Sequence, residues 1–299
     1  MSDHAREILQ TRYRLDRWAG AVGLQIEAVS DDRLRLRLPY SEDNMNLGGR
    51  LHGGVIATAL VDAGKLLARW LASDASVEIT PLDFQIFYLR AGGRHPVTAE
   101  VRLLRRTRTV LFLEGHAAHE DGRTLATAAL SLRTFDAALR GRDEDHTDLA
   151  AAMRLVPGRQ ALEHPLGELF NQRFQRAGRP VRIGHLEQGL GYIDQEPEAR
   201  IEDDTGTVAP GYLLLLFDRM GSVVSGTWAR ERVMSVTVSM QLSFCGPATR
   251  APLRVIGRTQ RHYGELSHNR VEIYARESGR LLLSGQVTHL LRPQRRAGG

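Results

Sequence analysis

Slid over itself by 157 positions, this 299-residue chain meets a second copy of its own pattern. Gly54 falls on Gly211, Thr80 on Thr237 and Phe87 on Phe244, and the pair Gly122-Arg123 falls on Gly279-Arg280. The register runs without a gap for about 70 residues and carries the order of predicted elements with it, which makes an internal duplication the best account. The length suffices for two ordinary domains, each with its own core.

In the first copy a helix-like start leads to "RLRLRLPY", whose strict alternation predicts a strand. A Gly/Asn loop follows, then an apolar helix from about Gly53 to Leu71. Four strand candidates come next: "VEITPLDFQIFYLRAG", "PVTAEVRLLRR", "VLFLEGHAAHEDGR" and "TLATAALSLRTF", the last two joined by a turn at "EDGR". The second copy repeats the order in "APGYLLLLFDRMGSVVSG", "SVTVSMQLSFCGPA", "PLRVIGRTQRH", "NRVEIYARESGR" and "LLLSGQVTHLLRP". One long helix followed by consecutive antiparallel strands predicts an α+β fold with a sheet curled around the helix. The expected division is a first domain over 1–137, a charged linker over 138–160, a second domain over 161–293 and a disordered tail over 294–299.

Composition narrows the function classes. Hydrophobic and charged fractions of 42% and 25% are those of a soluble globular protein. No apolar run approaches a membrane span and no secretory signal is read in the opening residues. Cys245 is the single cysteine, so a disulfide within the chain is impossible and a cytoplasmic protein is expected. The net charge is +5, and Lys65 is the only lysine among forty strong bases. Arginine suits bidentate contact with phosphate. The arginines are scattered among acids with no nucleic-acid-binding motif, so no nucleic acid partner is expected. His95, His116, His119, His262 and His268 show no metal-ligand spacing, and no metal or cofactor is expected.

The motif Asn46-x5-His52-Gly53-Gly54 opening an apolar helix, followed by "FQIFYLRAG" and "EDGRTLATA", resembles the hotdog-fold acyl-CoA thioesterases of the phenylacetate-degradation (PaaI-like) type. The likeness covers about residues 20 to 135 and is weaker from about 160 to 292. Two copies in one chain are similar to the double-hotdog thioesterases. The resemblance implies a tandem hotdog that hydrolyses an acyl-CoA thioester. It gives the backbone of Gly53 the oxyanion-donor role, with Gly54 beside the substrate and His52 and Asn46 orienting the loop or a water. A helix N-terminus supports that role, because its first N–H groups lack intrahelical partners and its dipole favours negative charge. The plain alternative is that the two glycines only allow tight packing of the helix start.

Hydrolysis also needs a carboxylate to attack or to activate water. The family places its acid nine residues after the motif histidine, where this chain has Val61; Asp62 comes one residue late, at the border of an apolar stripe through Val55, Ile56, Ala59, Ala63, Leu67 and Trp70. In the 157 register Asp218 falls opposite Val61, with Ser222 one turn further on the same face. The second copy has lost the donor end instead, since Ala209 replaces His52 and Pro210, which has no N–H, replaces Gly53. Family members share each site between two hotdogs. The resemblance therefore implies one composite site of Gly53, His52 and Asn46 facing Asp218 and Ser222, with Thr237 positioning water. A slide of 156 would instead pair Asp62 with Asp218, which keeps Asp62 as the reserve acid. Arginines of "RLLRRTRTV" would meet coenzyme A phosphates or simply face solvent. Two further functions stay open, a non-catalytic acyl-CoA-binding regulator and a hotdog hydratase or dehydratase. A homodimer is a fair expectation.

Overall fold

A computed structural model describes residues 3–46, 49–74, 76–136, 149–154, 164–176, 179–229, 233–246 and 250–293. Two compact units emerge. The first comprises Met1–Glu144, Ala199–Leu215 and Gln241–Arg250; the second comprises Asp145–Glu198, Leu216–Met240 and Ala251–Gly299. Among the described residues no helix is long and apolar enough to cross a membrane.

In the first unit, α1 (Asp3–Leu15) and α2 (Arg17–Val22) lead into β1 (Gln25–Val29) and β2 (Arg33–Leu38). Asp16 caps α2 by accepting the Ala19 N–H at 2.8 Å. The alternation in "RLRLRL" buries Leu34, Leu36 and Leu38 and turns Arg33 and Arg35 to solvent. Then come α3 (Gly53–Ala72), β3 (Val77–Tyr88), β4 (Val97–Arg106), β5 (Val110–His119) and β6 (Thr124–Asp136). The strands lie in the order β1-β2-β4-β5-β6-β3, antiparallel throughout.

Helix α3 lies on this sheet, against β2 to β6. It approaches closely because Gly64 has no side chain; a Cβ there would stand 2.6 Å from Leu130 Cδ1 and 3.2 Å from Leu113 Cδ1. Periodicity predicts a single apolar stripe, but the helix is buried all round from Gly54 to Gly64, Val61 and Asp62 included. The reason is that α1 and the stretch Ala199–Leu215 belong to the same unit and also cover it. Thr58 Oγ1, for example, donates to the Gly211 carbonyl at 2.8 Å. Each large apolar side chain buried this way contributes roughly 1.5–3 kcal/mol.

The second unit holds α4 (Leu149–Met153), α5 (Pro165–Arg176), β7 (Val181–Glu187), β8 (Leu190–Gln195), β10 (Leu253–Tyr263), β11 (Leu266–Ala275) and β12 (Leu281–Pro293). It also holds α6 (Pro210–Gly226) from Leu216 onward and β9 (Val233–Phe244) as far as Met240. Its strands run β7-β8-β10-β11-β12-β9. The 157 register carries β1 onto β7, β2 onto β8, α3 onto α6 and β3 to β6 onto β9 to β12, so the strand orders coincide as well. Residues 155–160 and 138–148 of the expected linker, and the tail 294–299, lie outside the described residues.

Candidate active site

The glycine motif forms a tight corner in the first unit. Asn46 N donates to Arg50 O at 2.7 Å and Asn46 Oδ1 accepts the Arg50 N–H at 3.2 Å, closing the loop before the helix. His52 is the N-cap of α3, and its Nδ1 accepts the Gly54 N–H at 3.2 Å. The His52 carbonyl takes the N–H groups of Val55 and Ile56 at 3.0 and 3.3 Å. Of the four N–H groups at the helix start, Asn44 O accepts that of His52 and His52 accepts those of Gly54 and Val55, and among the described residues only that of Gly53 has no acceptor. Tyr88 Oη donates to the Gly53 carbonyl at 2.7 Å and pins this first turn to β3.

The loop before α6 repeats this corner bond for bond at an offset of 157. Asp203 N donates to Thr207 O at 2.8 Å as Asn46 N does to Arg50 O, and Ala209 N reaches Ile201 O at 2.8 Å as His52 N reaches Asn44 O at 3.0 Å. The helices start at Gly53 and Pro210 in the same register. A slide of 156 has no such support here.

In the second unit Asp218 is 1% exposed on α6. Thr237 Oγ1, on β9, donates to Asp218 Oδ1 at 2.7 Å. His289 Nε2, from β12, stands 3.4 Å from both Asp218 Oδ1 and Thr237 Oγ1. Its ring is wholly buried and its Nδ1 has no partner among the described residues. Gly221, one turn along α6, makes room for it: a Cβ there would lie 2.3 Å from Val287 Cγ1 and 2.9 Å from His289 Cε1. A carboxylate, a hydroxyl and an imidazole meeting in a buried place can hold a water and take its proton. Ser222 is half-buried on α6 and contributes no hydrogen bond to this group.

Asp62 lies in the first unit beside Lys65 and Asp16. Both of its oxygens are buried without a hydrogen-bond partner among the described residues. Burial raises its carboxyl well above the ordinary range, and the charge of Asp16 adds to the rise. Among the described residues no group of three or more His, Cys, Asp or Glu side chains could hold a metal.

Comparison with solved structures identifies the architecture. A hot dog fold protein of unknown function from Alicyclobacillus acidocaldarius is similar over 93% of this chain and 98% of that one, with a TM-score of 0.61 and 15% identity. The fold is a hotdog. An acyl-CoA thioesterase II from Mycobacterium marinum is similar over 97% of this chain and 99% of that one, with a TM-score of 0.62 and 14% identity. The family described as the acyl-CoA thioesterase N-terminal domain matches residues 41–134 of this hotdog, a span that holds the glycine corner and Asp62. A proposed esterase of Halobacterium salinarum is 34% identical over 93 residues, which are 30% of this chain and 61% of that protein. The match covers less than two thirds of that relative's length.

Two residues have no role assigned from the sequence, although Tyr88 lies within "FQIFYLRAG". His289 was open to detection, since the 157 register sets it opposite Leu132, a core leucine that is 0% exposed. An inward imidazole where the other copy has leucine is the signal. Tyr88 carries none; only the fold brings its hydroxyl to Gly53.

Proposed function

We propose that this protein is a double hotdog, with halves at 1–137 and 161–293, that hydrolyses an acyl-CoA thioester. The observation that carries the proposal is the buried group of Asp218, Thr237 and His289. In this reading Thr237 and His289 position a water, and Asp218 takes its proton as the water oxygen attacks the thioester carbonyl. The negative charge that develops on the carbonyl oxygen is met by the Gly53 N–H, with His52 and Asn46 holding that corner in shape. The C–S bond then breaks, the acid is released and the thiolate of coenzyme A takes up the proton that Asp218 received, which restores the carboxylate. It is the sequence register, in which Asp218 stands opposite the acid position occupied by Val61, that assigns Asp218 and Gly53 to one reaction. Asp62 takes no part in it. Cytoplasmic residence, independence from any cofactor and a homodimeric assembly belong to the same proposal.

The test is release of free thiol from a panel of acyl-CoAs of increasing chain length, run beside a binding assay. Turnover of at least one member supports the reading. Binding without turnover across the panel would establish an acyl-CoA-binding protein in its place.

A further inference from the structure

The first unit holds a cavity of about 30 Å³, room for one or two waters. Three helices and a loop packed there contribute charged or titratable groups. Arg12 and Tyr13 come from α1, Asp16 from the cap of α2, Asp62, Lys65 and Arg69 from α3, and Asp203 and Asp204 from the loop before α6. Ile79 of β3 completes the lining with an apolar surface.

The hydrogen bonds are unequally shared. Lys65 Nζ donates to Asp203 Oδ2 at 2.8 Å and lies 4.0 Å from Asp204 Oδ1. Asp204 Oδ2 also lies 3.6 Å from Arg12 and 4.0 Å from Arg69. Asp203 further accepts from the Thr205 backbone and hydroxyl at 2.9 and 2.6 Å. Asp16 accepts the Ala19 N–H. Asp62, 3% exposed, has no hydrogen-bond partner on either oxygen among the described residues. A bare buried carboxylate costs several kcal/mol in effective desolvation, whereas a neutral carboxylic acid avoids most of that cost. Four carboxyl groups (Asp16, Asp62, Asp203, Asp204) face three bases (Arg12, Lys65, Arg69), so a single proton brings the group to neutrality.

We propose that this buried group is a proton-binding site, in which Asp62 stands as a carboxylic acid at neutral pH. The neutral group then joins α1, α2 and the Asp203 loop to α3. The directions of titration agree. Burial, reinforced by Asp16, raises Asp62, and burial raises Asp16 to about 6 against the opposing pull of Lys65. Burial pulls Lys65 down but Asp203 and Asp204 outweigh it and hold it charged. The inference rests on the first unit alone and stands whether or not the protein is a thioesterase.

Infrared difference spectroscopy of the full chain tests it. At pH 7 the wild type should show the carbonyl stretch of a protonated carboxylic acid, and Asp62→Asn should lack it. Asp218→Asn, outside this group, should keep the band. Thermal unfolding gives a second reading. Asp62 is raised in the folded state, so stability falls as pH rises above the unfolded carboxyl value toward the folded one. Asp62→Asn, a neutral isostere, should therefore melt a few degrees above wild type at pH 8 and no higher at pH 4. No protonated-carboxyl band in the wild type at pH 7, or a band that Asp218→Asn abolishes, overturns the proposal. So does an Asp62→Asn protein less stable than wild type at pH 8.

Discussion

The Thr237 hydroxyl donates a hydrogen bond to Asp218 Oδ1 across 2.7 Å, from the start of one strand to the middle of one helix. That contact spends the hydroxyl's only proton on the carboxylate and leaves its lone pairs to accept from a water. Thr237→Val keeps the shape and removes the bond; turnover should fall by about 10²-fold through loss of position. Thr237→Ser should restore most of it. Steady-state kcat on an acyl-CoA measures both, and equal activity in the Val variant would remove Thr237 from the reaction.

Gly53 offers an unusually clean test of backbone catalysis. His52, at φ −67° and ψ 135°, already has the extended geometry that a residue before proline requires. Proline is also welcome at the first position of a helix. Gly53→Pro should leave the melting temperature nearly unchanged while kcat falls roughly 10²–10³-fold, because only the donor is lost. The chain makes the same exchange itself at Pro210.

Gly221→Ala should destabilise the protein by about 1–3 kcal/mol, since the new methyl collides with Val287 and with the His289 ring. It should also lower turnover beyond the loss of folded protein, as the ring is pushed from Asp218 and Thr237. Urea unfolding and activity per folded molecule separate the two effects.

Lys65→Met should cost about 3–5 kcal/mol at pH 7, because it strands Asp203 without its buried cation. Burial raises the Asp203 carboxyl, but Lys65 and the Thr205 bonds more than offset it and hold it below its ordinary value. The stability this supplies is present above the unfolded carboxyl value and is lost as pH falls through the lowered folded one. The deficit of the variant should therefore shrink below about pH 4. Denaturant unfolding at pH 7 and at pH 3.5 checks the sign.

Much of the fold could be read because the duplication supplied it twice. The predicted helix start at Gly53 coincides with α3, and the register found in the helix and four strands extends to β1 with β7 and β2 with β8, pairs that no single motif announced. Illegible were features that depend on contacts distant in sequence. Periodicity left Val61 on a face without a core, whereas Ala199–Leu215 and α1 bury it. The packing of Lys65, Asp16 and Asp203 around Asp62 was illegible too, because it joins elements far apart in sequence. Of the site, Asp218 and Thr237 were reachable through the register, while His289 needed the comparison of one inward strand position with its copy.

The most direct test of the whole account compares thiol release by wild type, Asp218→Asn and Asp62→Asn on the best acyl-CoA of the panel, with circular dichroism to certify folding. The account predicts that Asp218→Asn loses turnover by about 10²–10⁴-fold, the range for a removed general base, while Asp62→Asn retains it. Retained turnover in a folded Asp218→Asn protein, with loss in Asp62→Asn, would contradict it and move the reaction to the other helix.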